Sequence, residues 1–397
     1  MFQNKMEYKK LAIISDDLTG AMDSSGYLAA KGFNASVVFN PNSLPDTDSV
    51  AINTDSRDDS PSNARIKIAN ASQKIGVRKI YKKIDSTLRG HIGVELESMM
   101  DSMNIYRVLV APAFPDTGKT TVGGTMLVDG LPIHKSSFSK DPTNPVFQSH
   151  IPTLLSESMR YSVDTLSLDV ISKGTNAIRH HMKTSTHNIL VCDAMEQKHL
   201  QSIADAASNA YGKWIICGSG GLAREMGVMM DSRFSDRAIC FDSKIGISLI
   251  VIGSLHERTI LQLRHLQDSR DIPFLTPSAI ANFHDVKTSI VITSVNNSYF
   301  KNKEHCVAKS LAKSTDSILN DRCTGLFLSG GSTAAAVLGN LQPDHITLVG
   351  EVEPGIPAGK IVGGKADGLR IVTKAGGFGS TDSILNALEY LENGSLD

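Results

Sequence analysis

Short apolar runs alternate with longer amphipathic segments along the first part of the chain. The apolar runs have the length of strands, and the segments between them repeat apolar residues at helical spacing. This alternation predicts a mainly parallel sheet flanked by helices, because parallel strands need a crossover connection that is usually a helix. The predicted strands are Leu11–Ile14, Ser36–Phe39, Val50–Ile52, Lys79–Ile84 and Val108–Ala111, and the predicted helices are Gly20–Lys31, Ser62–Lys74 and Gly93–Met103.

The alternation lapses between Thr117 and Leu155, where Gly, Pro, Asp and Ser are frequent. We predict an irregular stretch there, and long stretches of this kind are often functional lids or binding loops. The alternation resumes with the predicted strands Ile189–Cys192 and Trp214–Cys217 and the predicted helices Gln197–Tyr211 and Leu222–Met230.

The polar, aperiodic segment Asp231–Lys244 is the predicted linker between two domains. We therefore predict an α/β protein with a first domain of residues 1–240 and a second of residues 241–397, each a mainly parallel sheet flanked by helices. The active site is expected in the cleft between them. In the second domain the predicted strands are Ser248–Ile252, Ser289–Ser294, Gly325–Leu328 and Leu369–Thr373, and the predicted helices are Glu257–Gln267, Glu304–Leu319, Thr333–Asn340 and Thr381–Leu391.

Length and charge limit the classes of function. At 397 residues the chain is too long for one ordinary core, which agrees with two domains. Its 40 Lys and Arg balance 41 Asp and Glu, so the net charge of -1 argues against nucleic acid and membrane partners. No run reaches membrane-spanning length and no targeting signal is evident, so a cytoplasmic protein is expected. The five scattered cysteines, Cys192, Cys217, Cys240, Cys306 and Cys323, are expected to be buried reduced thiols.

Two glycine motifs imitate nucleotide sites. VLVAPAFPDTGKTT, ending near Lys119, has Ala113 where a P-loop needs glycine, and two glycines follow where its helix should start. KWIICGSGGLA carries the dinucleotide-binding spacing at Gly218, Gly220 and Ala223, but it closes a domain instead of opening one. A tight strand-to-helix turn is the simpler interpretation of the second motif. A nicotinamide-dependent dehydrogenase and a P-loop NTPase that uses Lys119 remain alternatives.

Acidic residues follow the first predicted strand in SDDLTGAMD. One aspartate there would suffice to cap the following helix, but Asp16 and Asp17 are adjacent and Asp23 lies about one turn further on. Ligands of open α/β sheets collect at the carboxyl ends of strands, so these acids are candidates for hydroxyl binding, general base catalysis or cation binding. Arg57 follows another predicted strand and is expected to reach the same crevice.

A second cluster follows a strand in YKKIDSTLRGHIG. Lys82, Lys83 and Arg89 are cations, Asp85 is a carboxylate and Ser86 is a hydroxyl donor. This mixture suits a small polyhydroxy carboxylate, because arginine can hold a carboxylate with two parallel hydrogen bonds.

Glycine-rich turns mark the second half of the chain. Gly253–Ser254, Ser329–Thr333 (SGGST) and Lys374–Gly379 (KAGGFG) each lie between a predicted strand and a predicted helix. Gly350–Gly355 (GEVEPG) lies in a stretch that reads as turn-rich. Glycines allow close backbone approach and helix N-termini attract phosphate oxygens, so the second domain is a candidate ATP-binding domain. Two domains with these ligands suit phosphoryl transfer.

Several segments together resemble the four-carbon acid sugar kinase family. They are SDDLTGAMD, KKIDSTLRGHIG, APAFPDTGKTTVGG, VDGLPI with KDPTNPV, GEVEPGIP and KAGGFGSTD, and they run from Ser15 to Asp382. The resemblance implies phosphorylation of a tetronic acid at its terminal hydroxyl by ATP with Mg²⁺. It implies an N-terminal domain that binds the sugar acid and a C-terminal domain that binds the nucleotide.

The resemblance points to Asp17, Arg57 and Lys83–Ser86 for the sugar acid and to Ser254, Gly350 and Gly376–Gly379 for ATP. Taken with the residue chemistry, it gives the following predicted sites. The catalytic residues are Asp17 and Asp85; the sugar-acid residues are Asp16, Asp17, Arg57, Lys82, Lys83, Ile84, Asp85, Ser86 and Arg89; the ATP residues are Ser254, Gly331, Thr333, Gly350, Glu351, Gly376, Gly377, Phe378 and Gly379.

Within the family, KKIDSTLRG is more similar to the threonate and erythronate kinases than to the 3-oxo-tetronate kinases. D-Threonate is therefore the expected substrate, and D-erythronate and a 3-oxo-tetronate are the alternatives. A non-catalytic sugar-acid sensor is the alternative of another class. Ser332, His256 with Glu257, and Lys119 depart from the usual family pattern. A homodimer is the expectation from the commonness of symmetric pairs.

Overall fold

The computed structural model describes residues 11–40, 43–75, 79–141, 144–208, 210, 213–229, 246–280, 288–293 and 304–394. The chain forms two units. The first combines Met1–Ser24 with Asp46–Arg233, and the second combines Ser25–Pro45 with Phe234–Asp397. The predicted linker and the predicted boundary near residue 240 lie outside the described residues. The membership of Ser25–Pro45 in the second unit was not indicated by the sequence pattern.

The strands, in chain order, are β1 Leu11–Ser15, β2 Ala35–Val38, β3 Ser49–Asn53, β4 Lys79–Lys83, β5 Val108–Ala111, β6 Lys119–Val122, β7 Thr125–Val128, β8 Leu131–Pro132, β9 Val163–Leu166, β10 Ile189–Cys192, β11 Ile215–Gly218, β12 Ile247–Ile252, β13 Phe274–Leu275, β14 Ile290–Thr293, β15 Cys323–Ser329, β16 His345–Glu353, β17 Ile356–Val362 and β18 Arg370–Lys374. The helices are α1 Leu18–Ala29, α2 Pro61–Lys74, α3 Ile92–Met103, α4 Ile151–Ser156, α5 Leu168–Ile171, α6 Thr175–Thr184, α7 Gln197–Ala207, α8 Gly220–Ala223, α9 Glu257–Ser269, α10 Pro277–Ile280, α11 Glu304–Ile318, α12 Gly331–Leu341 and α13 Ser383–Asn393. The predicted α/β class is confirmed.

A parallel sheet with the strand order β3-β1-β4-β11-β5-β10-β9 forms the centre of the first unit. Its central strands are buried along their length, as expected for a parallel sheet that is covered on both faces. Ser15 pairs with Lys83, and Lys83 pairs with Gly218 on the other side. The carboxyl ends of these strands are therefore level, and the residues that follow them share one edge of the sheet.

The stretch predicted to be irregular, Thr117–Leu155, contains a small antiparallel sheet of β6, β7 and β8. That part of the prediction is wrong. Gly123 and Gly124 make the turn between β6 and β7 with φ of 56° and 70°, a conformation that favours glycine. The buried carboxylate of Asp193 accepts hydrogen bonds from both glycine amides, at 2.8 and 2.9 Å. A glycine pair between two short runs of β-forming residues is the hairpin signal that identifies this turn.

The second unit has the strand order β13-β14-β12-β15-β18-β17-β16-β2. Pairing is parallel from β13 to β18 and antiparallel from β18 to β2. The segment read as turn-rich is a long hairpin of β16 and β17, so Gly350 and Glu351 lie on a strand and the turn is at residues 354–355. The strand register shifts between Leu348 and Gly350, which explains why glycine interrupts the strand pattern there.

Two further expectations concern the whole chain. Within the described ranges, no helix combines the length and the apolar character needed to cross a bilayer. Cys192, Cys217 and Cys323 are buried free thiols as expected, whereas Cys306 is exposed. Cys240 lies outside the described residues.

Candidate functional site

Asp16 and Asp17 lie between the end of β1 and the start of α1. The Asp17 carboxylate caps α1, because its Oδ1 accepts a 3.0 Å hydrogen bond from the backbone N–H of Gly20. Its side chain is 22% exposed, whereas that of Asp16 is 3% exposed. One acid therefore serves as the helix cap, and the second is a buried charge that requires a cation.

Arg57 supplies that cation. Its Nε and Nη2 donate to the two Asp16 oxygens at 2.7 and 2.9 Å, and its Nη1 donates to Asp17 Oδ2 at 2.8 Å. Burial alone would raise the pKa of the Asp16 carboxyl, but the charges of Arg57 and Lys82 outweigh it, so the pKa lies below its usual range. The result is a hydrogen-bonded cluster of Arg57 with two carboxylates at the carboxyl end of β1.

The loop after β4 packs against this cluster. A Cβ on Gly90 would lie 3.2 Å from Asp16 Oδ2 and 3.3 Å from Arg57 Cγ, so glycine permits the close approach. In this loop Asp85 accepts hydrogen bonds from Thr87 Oγ1 and from Arg89 Nε, the latter at 2.5 Å. Burial raises the pKa of the Asp85 carboxyl, and Arg89 and Arg57 lower it by more, so Asp85 stays ionised.

Arg89 also reaches the long stretch after β5. Its Nη1 forms an ion pair with Asp141 Oδ2 at 3.2 Å, and its guanidinium lies 6.0 Å from the centre of the Phe138 ring. Asp141 belongs to the KDPTNPV segment but was absent from the predicted site. Its contact with Arg89 places that stretch beside the Asp85–Arg89 pair.

The two lysines of β4 differ in their surroundings. Lys82 is fully buried, and its Nζ lies 2.7 Å from Glu95 Oε2. Lys83 Nζ donates to the Ile84 carbonyl at 3.2 Å. A Cβ on Gly20 would lie 2.8 Å from Lys83 Nζ and 2.7 Å from Asp17 Oδ1, so Lys83 lies beside Asp17. Lys82 therefore lies in the interior, and Lys83 belongs to the group around Asp17.

The remaining members of the predicted sugar-acid set are Ile84 and Ser86. Ile84 is 1% exposed and its backbone N–H donates to the Gly218 carbonyl at 2.9 Å. Ser86 is half-buried in the loop after β4. The partly exposed side chains of the cluster include the carboxylates of Asp17 and Asp85 and the guanidinium of Arg89. Together these groups can accept hydrogen bonds from hydroxyls and bind an anion.

In the second unit, three glycine-rich turns meet at the ends of the neighbouring strands β12, β15 and β18. A Cβ on Gly253 would overlap Thr333 Oγ1, and one on Gly376 would overlap Ser254 Oγ. A Cβ on Gly330 would lie 3.3 Å from the Ser254 backbone nitrogen. The turns are thus in direct contact, and their backbones form one surface at the N-termini of α9 and α12.

The tip of the β16–β17 hairpin contacts the turn after β18, Lys374–Gly379, which is called the third turn below. A Cβ on Gly355 would lie 2.6 Å from the Phe378 ring, and Glu351 Oε1 accepts a 2.7 Å hydrogen bond from the Gly355 N–H. Gly379 has φ of 87° and leaves room for Ser383 at the start of α13. Gly331 is the first residue of α12, and a Cβ on Gly377 would lie 3.2 Å from His256 Nε2. The predicted ATP residues of the second unit are therefore close to one another.

Lys374, at the end of β18, is buried beneath the third turn and donates hydrogen bonds to its carbonyls. Its Nζ donates to the carbonyls of Ala375, Gly376 and Phe378 at 3.0 to 3.3 Å and to Thr259 Oγ1 at 3.1 Å. Burial and then the charge of Arg258 lower the pKa of Lys374 to about 8. Lys374 is part of the KAGGFG motif but was absent from the predicted ATP set. A lysine at a strand end that precedes a glycine-rich turn is a signal that could have indicated it.

Two family models match the chain. One is described as a sugar-binding N-terminal domain and matches residues 11–226, and the other is described as a nucleotide-binding C-terminal domain and matches residues 283–384. The first match alone covers more than half of the chain. The chain belongs to the four-carbon acid sugar kinase family. The resemblance identified from the sequence motifs is confirmed.

Curated relatives of this kinase family match over their full lengths. The chain is 30% identical to a D-threonate kinase of Salmonella typhimurium, covering 96% of this chain and 98% of the relative. It is 26% identical to a D-erythronate kinase of Heliobacterium modesticaldum, covering 96% of this chain and 97% of the relative.

Solved structures agree with the fold. A Salmonella typhimurium protein described as a putative tRNA synthase has a TM-score of 0.80 at 19% identity, covering 96% of this chain and 99% of that one. A Bordetella bronchiseptica protein with a domain of unknown function has a TM-score of 0.51 at 26% identity, covering 96% of this chain and 98% of that one. The Bordetella protein was solved as a domain-swapped dimer with bound citrate.

In this member of the sugar acid kinase family, other protein atoms occupy the space beside the glycines of the dinucleotide-like motif. A Cβ on Gly218 would lie 2.6 Å from the Ala111 carbonyl oxygen, and one on Gly220 would lie 2.9 Å from the Phe114 ring. Ser219 Oγ also donates to the Ala113 carbonyl at 2.9 Å. The glycines therefore serve close packing after β11, which is the tight-turn interpretation.

The P-loop-like motif has the wrong secondary structure for a phosphate site. Lys119 begins strand β6, whereas a P-loop lysine precedes a helix whose N-terminus faces the phosphates. We expect Lys119→Ala to leave the KM for ATP unchanged, since its Nζ donates to the Thr117 carbonyl within the first unit. Steady-state kinetics at varied ATP measures this, and a KM for ATP raised tenfold or more would favour the P-loop interpretation instead.

Among the family departures, His256 has a structural explanation. Its Nδ1 accepts a 3.1 Å hydrogen bond from the backbone N–H of Arg258, so it caps α9. His256 therefore replaces a small residue without loss of the helix cap.

Proposed function

We propose that this chain transfers the γ-phosphoryl group of ATP to the 4-hydroxyl of D-threonate, giving 4-phospho-D-threonate and ADP. The observation that carries the proposal is the cluster of Asp16, Asp17 and Arg57 with the Asp85–Arg89 pair packed against it. This cluster lies within the span that matches the sugar-binding family model. The relatives named D-threonate kinase support the choice of substrate.

In this proposal Arg89 and Lys83 bind the substrate carboxylate. Three of the five N–H donors of Arg57 make hydrogen bonds to Asp16 and Asp17, so Arg57 chiefly holds those acids in place. Asp17 orients the 4-hydroxyl toward the phosphorus, since it is the more exposed of the two adjacent acids. Asp85 has a depressed pKa and is a weak proton acceptor, so its contribution is orientation and charge.

The second unit binds ATP in this proposal. Backbone amides of Gly376, Gly377 and Gly379 cradle the phosphates, and the helix N-termini after Ser254 and Gly330 add positive electrostatic potential. The convergence of the three turns and the match to a nucleotide-binding family model support this assignment. The Phe378 ring packs on Gly355 and fixes the conformation of the third turn.

Phosphoryl transfer needs a divalent cation, and we propose Mg²⁺ bound together with ATP. Across the described ranges, no group of three or more His, Cys, Asp or Glu is arranged to hold a metal ion. Mg²⁺ bound with a nucleotide takes one or two carboxylates in addition to phosphate oxygens and water. Asp17 and Asp85 are partly exposed carboxylates whose oxygens would suit such a cation. When bound, the cation neutralises charge on the phosphates.

Lys374 gives the proposed ATP site a pH dependence. The amine loses its charge as pH rises through about 8, so we expect kcat/KM for ATP to fall above that pH. Lys374→Met should show a lowered kcat/KM that no longer changes in this range. The pKa of this lysine is 10.5 in the unfolded chain. Between pH 8 and 10.5 the unfolded chain therefore binds more protons than the folded one, so this group makes the free energy of unfolding rise as pH increases through that range. Deprotonation of Lys374 therefore does not itself unfold the protein, and far-UV circular dichroism across the same pH range checks that the fold is kept. A pH profile in Lys374→Met unchanged from wild type would contradict the assignment.

The proposal is tested by ADP release with a panel of D- and L-threonate, D- and L-erythronate and 3-oxo-tetronates. We expect the highest kcat/KM with D-threonate. A higher value with D-erythronate or a 3-oxo-tetronate would change the substrate and keep the reaction. No ADP release with any tetronate would favour a non-catalytic sensor. A dehydrogenase is disfavoured by the packing of Gly218 and Gly220 against Ala111 and Phe114.

We also propose that the chain forms a homodimer. The Bordetella bronchiseptica structure, solved as a domain-swapped dimer, supports this proposal. Light scattering on the purified protein tests it, and a monomeric mass at micromolar concentration would contradict it.

A further inference from the structure

A buried carboxylate in helix α3 links two parts of the sugar-acid cluster. Glu95 is 1% exposed, and its two oxygens have different partners. Oε2 lies 2.7 Å from Lys82 Nζ on β4, and Oε1 accepts a 2.5 Å hydrogen bond from Ser56 Oγ. Both partners are fully buried, so the three side chains form a network without contact with solvent.

Ser56 directly precedes Arg57 and is attached to the end of β1. Its backbone N–H donates to the Asp16 carbonyl at 2.9 Å. Two residues earlier, Thr54 Oγ1 donates to the Ser15 carbonyl at 2.8 Å. The segment that carries Arg57 is thus bonded to the end of β1 by backbone and Thr54 side-chain hydrogen bonds, and to α3 through the Glu95 carboxylate.

The contribution of this network to folding stability does not by itself explain why two charges are buried here. A buried ion pair often contributes no more to stability than apolar side chains of similar volume, because both charges lose their hydration. Burial lowers the pKa of Lys82, but Glu95 and Asp16 raise it further, so the lysine keeps its charge. The Lys82 charge also acts on Asp16, whose pKa it lowers. These features connect the pair with the geometry and charge of the cluster.

We infer that Glu95 is a positioning residue that, through Ser56 and Lys82, sets the place of Arg57 against Asp16 and Asp17. The inference rests on the proposed function, since the cluster is the proposed sugar-acid site. Loss of the link should move Arg57 and with it both acids. The affinity for the sugar acid should then fall, while the ATP site in the second unit remains intact.

The first test is Ser56→Ala, which removes the hydroxyl that joins Glu95 to the Arg57 segment. We expect the KM for D-threonate to rise about tenfold, because Arg57 and the two acids are displaced from the position that binds the substrate, with the KM for ATP unchanged. The matched control is Ser98→Ala, because Ser98 is a buried serine of α3 whose hydroxyl donates to the Arg65 carbonyl outside this network. The control should leave both KM values unchanged.

The second test is the double variant Lys82→Met with Glu95→Met, which replaces the ion pair by apolar side chains and removes the acceptor for Ser56. We expect a folded protein with a KM for D-threonate raised by at least the factor found for Ser56→Ala. A purely structural role predicts a smaller active fraction, hence a lower kcat with both KM values unchanged, and that result in either test overturns the inference. If the double variant does not fold, Ser56→Ala alone decides. Failure of the proposed function would instead appear as no ADP release by the wild-type protein with any tetronate.

Discussion

Replacing Arg57 by alanine is expected to abolish measurable kinase activity and to destabilise the first unit. The substitution leaves Asp16 buried without its partner, which costs on the order of 3–5 kcal/mol in the free energy of unfolding. It also releases Asp17 from the orientation that the proposed reaction requires. Arg57→Lys keeps the charge but loses the two-pronged hydrogen bonds, so we expect a folded enzyme with kcat/KM for D-threonate lowered about a hundredfold.

Arg65→Ala is the matched control for these variants. Arg65 forms an ion pair with Glu97 in the same unit, but its side chain is 43% exposed. Glu97 is only 8% exposed, but without Arg65 it keeps the 3.0 Å hydrogen bond from the Arg160 backbone N–H and the 3.3 Å ion pair with Arg160, so activity and thermal midpoint should change little. Kinetics and thermal denaturation on the three variants give the comparison. Near-wild-type kcat/KM in Arg57→Lys would show that the cluster is not the sugar-acid site.

Gly376→Ala is expected to raise the KM for ATP about a hundredfold or more, with the KM for D-threonate unchanged. A Cβ at Gly376 would overlap Ser254 Oγ and press against the His256 side chain at 3.0 Å. The third turn must then move away from the first, and the surface proposed to cradle the phosphates is lost. Initial rates at varied ATP, with D-threonate saturating, measure the effect.

Gly339→Ala is the control in the same unit. Gly339 lies inside α12, and no described atom is within 4 Å of a Cβ placed there. Alanine should therefore increase the free energy of unfolding by about 0.5–1 kcal/mol through helix propensity and leave both KM values unchanged. If Gly376→Ala behaved like this control, the nucleotide would bind elsewhere.

Most central strands were predictable from the sequence because they are buried on both faces and read as continuous apolar runs. Strand β9 was missed because three of its four residues are only half-buried, so no apolar run marks it. The β16–β17 hairpin was missed because its glycines and proline suggested turns, while its stability comes from pairing with β18 and β2. The pairing of β16 with β2 joins segments about 300 residues apart in the chain, and local pattern does not contain it.

The residues of the candidate site likewise include some that the sequence predicts and some that it does not. The acids and cations that follow β1 and β4 were predictable, because strand ends and residue chemistry suffice. Glu95 and Asp141 were missed because each acts through a partner distant in sequence, and Lys374 was missed although its position before a glycine-rich turn is a local signal. Lys82 carries a signal that could have been used, because a lysine inside a buried strand requires a buried acid, and Glu95 stands among apolar residues of a predicted helix.

The most direct measurement is the position of the phosphate in the product formed from ATP and D-threonate. The product can be analysed by NMR for coupling between phosphorus and the carbon to which its oxygen is attached. We expect stoichiometric ADP and one new phosphate ester coupled to C4. An ester at C2 or C3, or no ester despite a folded protein that binds ATP, would contradict it.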